Sequence, residues 1–242
     1  MNHHIVLATT LNVRALPRAT ADSTILGVLP LGSVVEELDA DADRSWLRVR
    51  QGTLEGWMSN TYLLREDALR GFPWVDKAAR EFGVAEIPGP RNNPRIQDYL
   101  ATVGVGDASE STSWCSAFAK WCVMQAQAHS TAVPGVKKIT SGARSWHTSA
   151  WGADLTASAP LGAVVVLWRR RGPDEDDPKD ATRTPEQVKK DGTGGHVGFL
   201  AEPFRASDAQ VTLLGGNQGN RVGKSRYALG TNYGLMSMRG LP

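Results

Sequence analysis

Ser111-Thr112-Ser113-Trp114-Cys115-Ser116-Ala117-Phe118 leads into a stretch, Trp114 to Ala128, without Gly or Pro. That stretch reads as a helix. Ser and Thr just ahead of it are N-cap candidates. Cys115 then falls in the first turn, where unpaired backbone N–H groups and the helix dipole favour an anion. A helix N-terminus lowers a thiol toward thiolate, and the thiolate is the nucleophile. Cys122 lies two turns deeper among Phe118, Trp121 and Val123, as a small buried hydrophobe. Seven helical positions rise about 10.5 Å. A disulfide needs Cα atoms within about 7 Å. The two cysteines therefore cannot bridge within one helix.

A nucleophilic Cys needs a base, and His is the usual one. His196 is the leading candidate, in Gly194-Gly195-His196-Val197-Gly198-Phe199 at the start of a strand. Its flanking glycines leave room for a substrate or another chain to approach. His147, between Trp146 and Thr148, is the alternative base. His129 follows a helix end and reads as solvated or capping. A third residue should orient the imidazole. Val211 to Leu214 ends in Gly215-Gly216-Asn217-Gln218, which offers the Asn217 carbonyl. Gln218 and Asn220 are weaker candidates. His3 and His4 read as solvated at a frayed start. The five histidines show no cluster with zinc spacing, so no metal and no cofactor is expected.

Outward from this constellation the chain has two grammars. Leu11–Arg14, Ile25–Leu29, Val34–Leu38, Trp46–Arg50 and Leu54–Met58 are short strand signals with turns between them. They predict a small all-β barrel. The expected boundaries are a first domain over 1–65, a polar linker over 66–73 and a second domain over 74–242. In the second domain, Val75–Phe82 and Ile96–Val103 read as helices. Gly162–Trp168, His196–Ala201 and Gln210–Leu214 read as strands. Helices first and strands later predict an α+β domain with an antiparallel sheet. Between Arg169 and Gly195 lies an insertion of seven basic and seven acidic residues. It reads as a surface loop with one short helix, whose start is Thr184 as N-cap, Pro185 at N1 and Gln187 at N3.

With 242 residues, the length fits one to two domains. Lys plus Arg is 27 against 25 for Asp plus Glu. That balance argues against a nucleic-acid partner bound by phosphate neutralisation. The longest apolar run, Ala163 to Trp168, is far short of the ~20 residues a membrane span needs, so no membrane partner is expected. Arg14, Arg18 and Asp22 interrupt any signal-peptide core. The expectation is a soluble chain made without a cleavable leader.

Leu11-Asn12-Val13-Arg14, Leu31-Gly32, Trp46-Leu47-Arg48-Val49 and Gly56-Trp57-Met58 resemble a bacterial SH3-like domain in order and spacing. That resemblance implies a module for cell-wall peptides or glycans, or else a spacer. Trp114-Cys115-Ser116-Ala117-Phe118, Gly194-Gly195-His196-Val197-Gly198-Phe199 and Gly216-Asn217 occur in the order found in the CHAP group. These Cys-His-dependent amidases and peptidases share the papain-like fold. Asn93-Pro94-Arg95-Ile96, Ser145-Trp146, Trp151-Gly152 and Gly162-Ala163-Val164-Val165-Val166 add to the likeness, which covers about Phe72 to the C-terminus. Two positions before the Asn, where some relatives carry an acidic residue, this chain has Gly215.

The resemblance implies a peptidoglycan hydrolase. It would cleave an amide bond as an N-acetylmuramoyl-L-alanine amidase or as a stem or crossbridge endopeptidase. Catalysis falls to Cys115 as nucleophile, paired as thiolate with His196, and to Asn217 as orienting residue. Trp114, Trp146 and Trp151 are candidates to line a sugar or peptide groove. The expected partner is bacterial cell-wall peptidoglycan, reached at the periplasmic or extracellular face during phage lysis or by secretion-system delivery. That is the setting of an endolysin or another antibacterial hydrolase. The competing readings are a cysteine hydrolase of a non-wall amide and a non-catalytic wall-binding protein.

Overall fold

The structure is a computed structural model describing residues 2–128, 133–171 and 182–241. His129 and residues 172–181 of the charged insertion lie outside the described residues. The chain forms two compact units, Met1–Arg70 and Gly71–Pro242.

The first unit is all-β. Its strands are β1 (His3–Val6), β2 (Thr10–Arg14), β3 (Ile25–Pro30), β4 (Val34–Ala40), β5 (Trp46–Gln51), β6 (Leu54–Ser59) and β7 (Leu63–Arg65). They form one sheet in the order β3-β2-β6-β5-β4-β1-β7. All five expected strands are present. In β5 the alternation predicted from the sequence holds: Leu47 and Val49 are buried while Arg48 and Arg50 are exposed. Leu47 and Val49 join Val6, Leu11, Val13, Met58 and Leu63 in the core. The chain start is not frayed. His4 is fully buried in β1, with its Nε2 2.8 Å from Glu37 Oε2. The stretch expected as a linker carries a short helix, α1 (Ala68–Gly71).

The second unit mixes helices with an antiparallel sheet. Three helices come first: α2 (Pro73–Arg80), α3 (Pro94–Ala101) and α4 (Cys115–Gln127). Asn93 caps α3 by accepting from the Arg95 N–H at 2.9 Å. A short helix, α5 (Ser145–Thr148), precedes β8 (Ala153–Asp154) and β9 (Val164–Arg169). Then come α6 (Pro185–Asp191), β10 (Gly195–Leu200), β11 (Gln210–Gly215), β12 (Gly223–Ala228) and β13 (Tyr233–Gly240). The sheet order is β12-β11-β10-β9-β13-β8. Residues Val164 to Trp168 are all buried, as the continuous apolar run predicts for a strand covered on both faces. Trp74, Tyr99, Trp114, Phe118, Trp146 and Phe199 are the largest fully buried side chains of this unit.

Helix α6 starts where its capping signal places it. Thr184 Oγ1 accepts from the Gln187 N–H at 3.3 Å, and the Gln187 side chain accepts from the Thr184 N–H at 2.8 Å. At the other end, the Arg144 guanidinium donates to the Val188 carbonyl at 2.8 Å and the Lys189 carbonyl at 3.0 Å. The same side chain donates to the Gly194 carbonyl at 2.7 Å, just ahead of His196. Arg144 thus ties the end of α6 to the entry of β10. Among the described residues, no helix is long and apolar enough to cross a membrane. Thr184→Ala is expected to destabilise α6 by about 1 kcal/mol. Amide hydrogen exchange should show faster exchange confined to residues 185–191.

Candidate active site

The site forms where the ladder between β10 and β11 stops. These strands pair only through Phe199↔Leu214 and Leu200↔Leu213. On its other side, β10 pairs with β9 from Gly195 to Phe199. Among the described residues, β10 forms no ladder pair with β11 from Gly195 to Gly198, which includes the backbone around Val197. The first turn of α4 meets this gap. A Cβ on Gly216 would stand 2.6 Å from both Phe118 Cβ and Trp114 Cζ3. Only glycine lets the turn at 216–220 come this close to the start of α4. Asn217 and Asn220 hold the turn with positive φ of 55° and 60°, a region Asn tolerates better than most residues.

Cys115 and His196 line one cavity of about 420 Å³, together with Ser113, Arg169, Asn217, Gln218, Tyr227 and Tyr233 among others. Cys115 is the first residue of α4, and Trp114 takes the N-cap position without a side-chain hydrogen bond. The expected Ser or Thr cap is therefore absent, and the first-turn N–H groups are left for the sulfur. Burial pushes the Cys115 thiol up from its ordinary value. Against this act the backbone N–H groups of Val197 and Ser116 and the positive charge of Arg169. Burial, followed by the charge of Arg169, pulls His196 down to about 3. Burial thus disfavours both the thiolate and the imidazolium, whereas the sequence reading expected an ion pair. Desolvation of both groups outweighs the helix-terminus effect.

Asn217 lines the cavity, and among the described residues its side chain makes no hydrogen bond. The groups at His196 Nε2 are the Tyr227 hydroxyl at 2.9 Å and Gln218 Nε2 at 3.4 Å. Gln218 was a weaker candidate in the sequence. Tyr227 was missed, because it stands on a polar strand that carried no strand signal. His147 stays outside this cavity. The glycines before His196 admit close neighbours, and Gly195 lines the cavity. A Cβ on Gly194 would meet the Arg169 carbonyl oxygen at 2.3 Å, and one on Gly195 would meet Arg144 Cγ at 3.1 Å.

The groove-lining expectation is corrected for Trp114 and Trp146. Trp114 and Trp146 are 0% exposed and Trp151 is 5% exposed. Each indole N–H has an internal acceptor: Glu86 Oε1 at 2.8 Å, Ser116 Oγ at 3.1 Å and the Pro134 carbonyl at 3.2 Å, respectively. Large rings with satisfied N–H groups are core material. Trp151 edges a separate cavity, with Pro134, Lys137 and Lys138. Cys115 and Cys122 are both free thiols, and burial raises the Cys122 thiol well above its ordinary value. Among the described residues, no group of His, Cys, Asp and Glu is placed to hold a metal ion.

Residues 9–63 match the sequence family described as bacterial SH3 domain. The chain therefore joins an SH3-like all-β region to a mixed unit with a second, antiparallel sheet. No curated protein matches it. Among solved structures, NlpC2 from Trichomonas vaginalis is similar at 13% identity and a TM-score of 0.33, over 99% of this chain and 72% of that one. NlpC1 from the same organism is 14% identical with a TM-score of 0.31, over 99% and 69% of the two chains. An NlpC/P60 endopeptidase from Photobacterium damselae subsp. piscicida is 10% identical with a TM-score of 0.23, over 98% and 70%.

The depressed His196 value has a consequence for stability. Between its ordinary value near 6.5 and about 3, the imidazole binds a proton only in the unfolded chain. Its contribution to stability is whole above the upper limit and is lost as pH falls through that window. Urea unfolding of wild type and His196→Gln is expected to show a steeper acid loss in the wild type. Equal slopes would contradict a buried neutral imidazole.

Proposed function

We propose that the chain is a cysteine hydrolase that cuts an amide bond of bacterial peptidoglycan, with the SH3-like region directing it to the wall. One observation carries the chemistry. A thiol at an uncapped helix start, faced by backbone N–H groups, shares a polar-lined cavity with a histidine from the sheet. The substrate class rests on the motif order shared with the CHAP group and on the bacterial SH3 match.

As the sulfur of Cys115 attacks the scissile carbonyl, His196 takes the thiol proton. A neutral imidazole is the form that can accept it. Charge develops on the carbonyl oxygen, and the first-turn N–H of Cys115 stabilises it. Protonated His196 then delivers the proton to the leaving amine. Water, deprotonated by the same imidazole, hydrolyses the thioester and restores the thiol. Two cleavage sites fit this chemistry: the linkage of the stem peptide to the sugar, and a peptide bond within the stem or crossbridge.

Digestion of purified peptidoglycan followed by mass spectrometry tests the reading. Wild type should release fragments, and Cys115→Ala should lower the rate by about 10³-fold or more. A new amine at the start of the stem peptide identifies an amidase. A new end within the stem or crossbridge identifies an endopeptidase. Release of the same products by Cys115→Ala would remove the nucleophile. Intact peptidoglycan beside cleavage of a simple peptide amide would move the substrate away from the wall.

A further inference from the structure

The polar groups around His196 are arranged unevenly. Both contacts to its ring fall on Nε2: the Tyr227 hydroxyl at 2.9 Å and the Gln218 side-chain amide at 3.4 Å. Among the described residues, Nδ1 has no hydrogen-bond partner. The two rings lie against each other, with centroids 4.8 Å apart and planes tilted by 31°. Tyr233 meets the phenol edge-on, at 5.0 Å and 68°.

Gln218 adds an independent observation. Its Oε1 is buried without a hydrogen-bond partner, while its Nε2 faces the imidazole nitrogen. Exchanging the two ends of the amide gives the orphaned oxygen a donor, provided His196 Nε2 carries the proton. Gly215 makes room for this amide, since a Cβ there would stand 2.7 Å from Gln218 Nε2. The backbone fixes the residue as well, through the Gln218 N–H to the Arg221 carbonyl at 2.9 Å.

We propose that Tyr227 is a positioning residue of the site, which with Gln218 accepts from the Nε2–H of His196 and so makes Nδ1 the nitrogen that exchanges a proton with Cys115. The proposal rests on the Cys-His reading of the cavity and names the residues that fill the place expected for Asn217. In the proton transfer, the S–H bond of Cys115 breaks and an Nδ1–H bond forms. The Nε2–H stays donated to the Tyr227 and Gln218 oxygens throughout. Tyr227 acts through a lone pair and keeps its own proton. Burial, with Tyr233 and Cys115 nearby, holds its hydroxyl above the ordinary phenol value. The titratable groups that share the cavity with His196 are Cys115 from α4, Arg169 from β9, Tyr227 from β12 and Tyr233 from β13.

The experiment uses the full chain and no substrate. Alkylation of Cys115 by iodoacetamide is followed across the pH range of the thiol, and peptide mapping separates Cys115 from Cys122. Nitrogen NMR of the His196 ring reports which nitrogen is protonated. Tyr227→Phe keeps the ring and removes the hydroxyl. It is expected to slow alkylation near neutral pH about tenfold, the loss of a hydrogen bond to a charged group. It should also move the midpoint to higher pH and change the ring from one tautomer to a mixture. Gln218→Glu supplies a charged acceptor, and is expected to move the midpoint the other way. A wild-type alkylation profile and ring spectrum in Tyr227→Phe would overturn the proposal. So would the same shifts produced by Asn217→Ala in place of Tyr227→Phe. Because neither readout involves the wall, inert peptidoglycan alongside these shifts would count against the substrate alone.

Discussion

The site depends on a ladder that ends early. The ladder between β10 and β11 stops at Phe199, and from there back to Gly195 the backbone, Val197 included, forms no ladder pair with β11 among the described residues. A buried N–H without a partner is costly. Here the partner is the sulfur at the start of α4. The same strand that carries the imidazole therefore also carries a donor to the thiol. Gly216 permits this meeting, because any side chain there would collide with Phe118 and Trp114. The chemistry is thus built from packing: a helix start pressed into a sheet opening, with a tight turn folded over it.

That packing also sets the resting charge state. A helix start favours an anion, and an exposed Cys-His pair would ionise readily. Enclosure works against both ions at once, raising the thiol and lowering the imidazole. In the proposed reaction the thiol stays weakly nucleophilic until its proton is taken during attack. Arg169 favours the thiolate and disfavours the imidazolium, so it steers charge toward sulfur without replacing the base.

Short-range signals were the legible part of this fold. The five strands of the SH3-like region, the buried run at Val164–Trp168 and the Thr184 capping box all declare themselves within a few residues. Cys115 and His196, picked out as a Cys in a first turn and a His at a strand start, do line one cavity. What was not legible came from distance or from broken periodicity. β13 lies beside β9, yet its register shifts between Leu235 and Ser237, which spoils the period of two. β12 ends the sheet order and reads Gly-Lys-Ser-Arg-Tyr-Ala, too polar to announce a strand. Tyr227 was lost with it. The tryptophans misled because their aromatic area suits a groove and a core equally well.

The central claim is that Cys115 forms a covalent acyl intermediate while His196 handles its proton. Acid quenching during turnover of peptidoglycan, followed by peptide mapping, tests it most directly. The account predicts a wall-derived acyl mass on the Cys115 peptide and none on the Cys122 peptide. Continued turnover with Cys115 unmodified at every time point would contradict it.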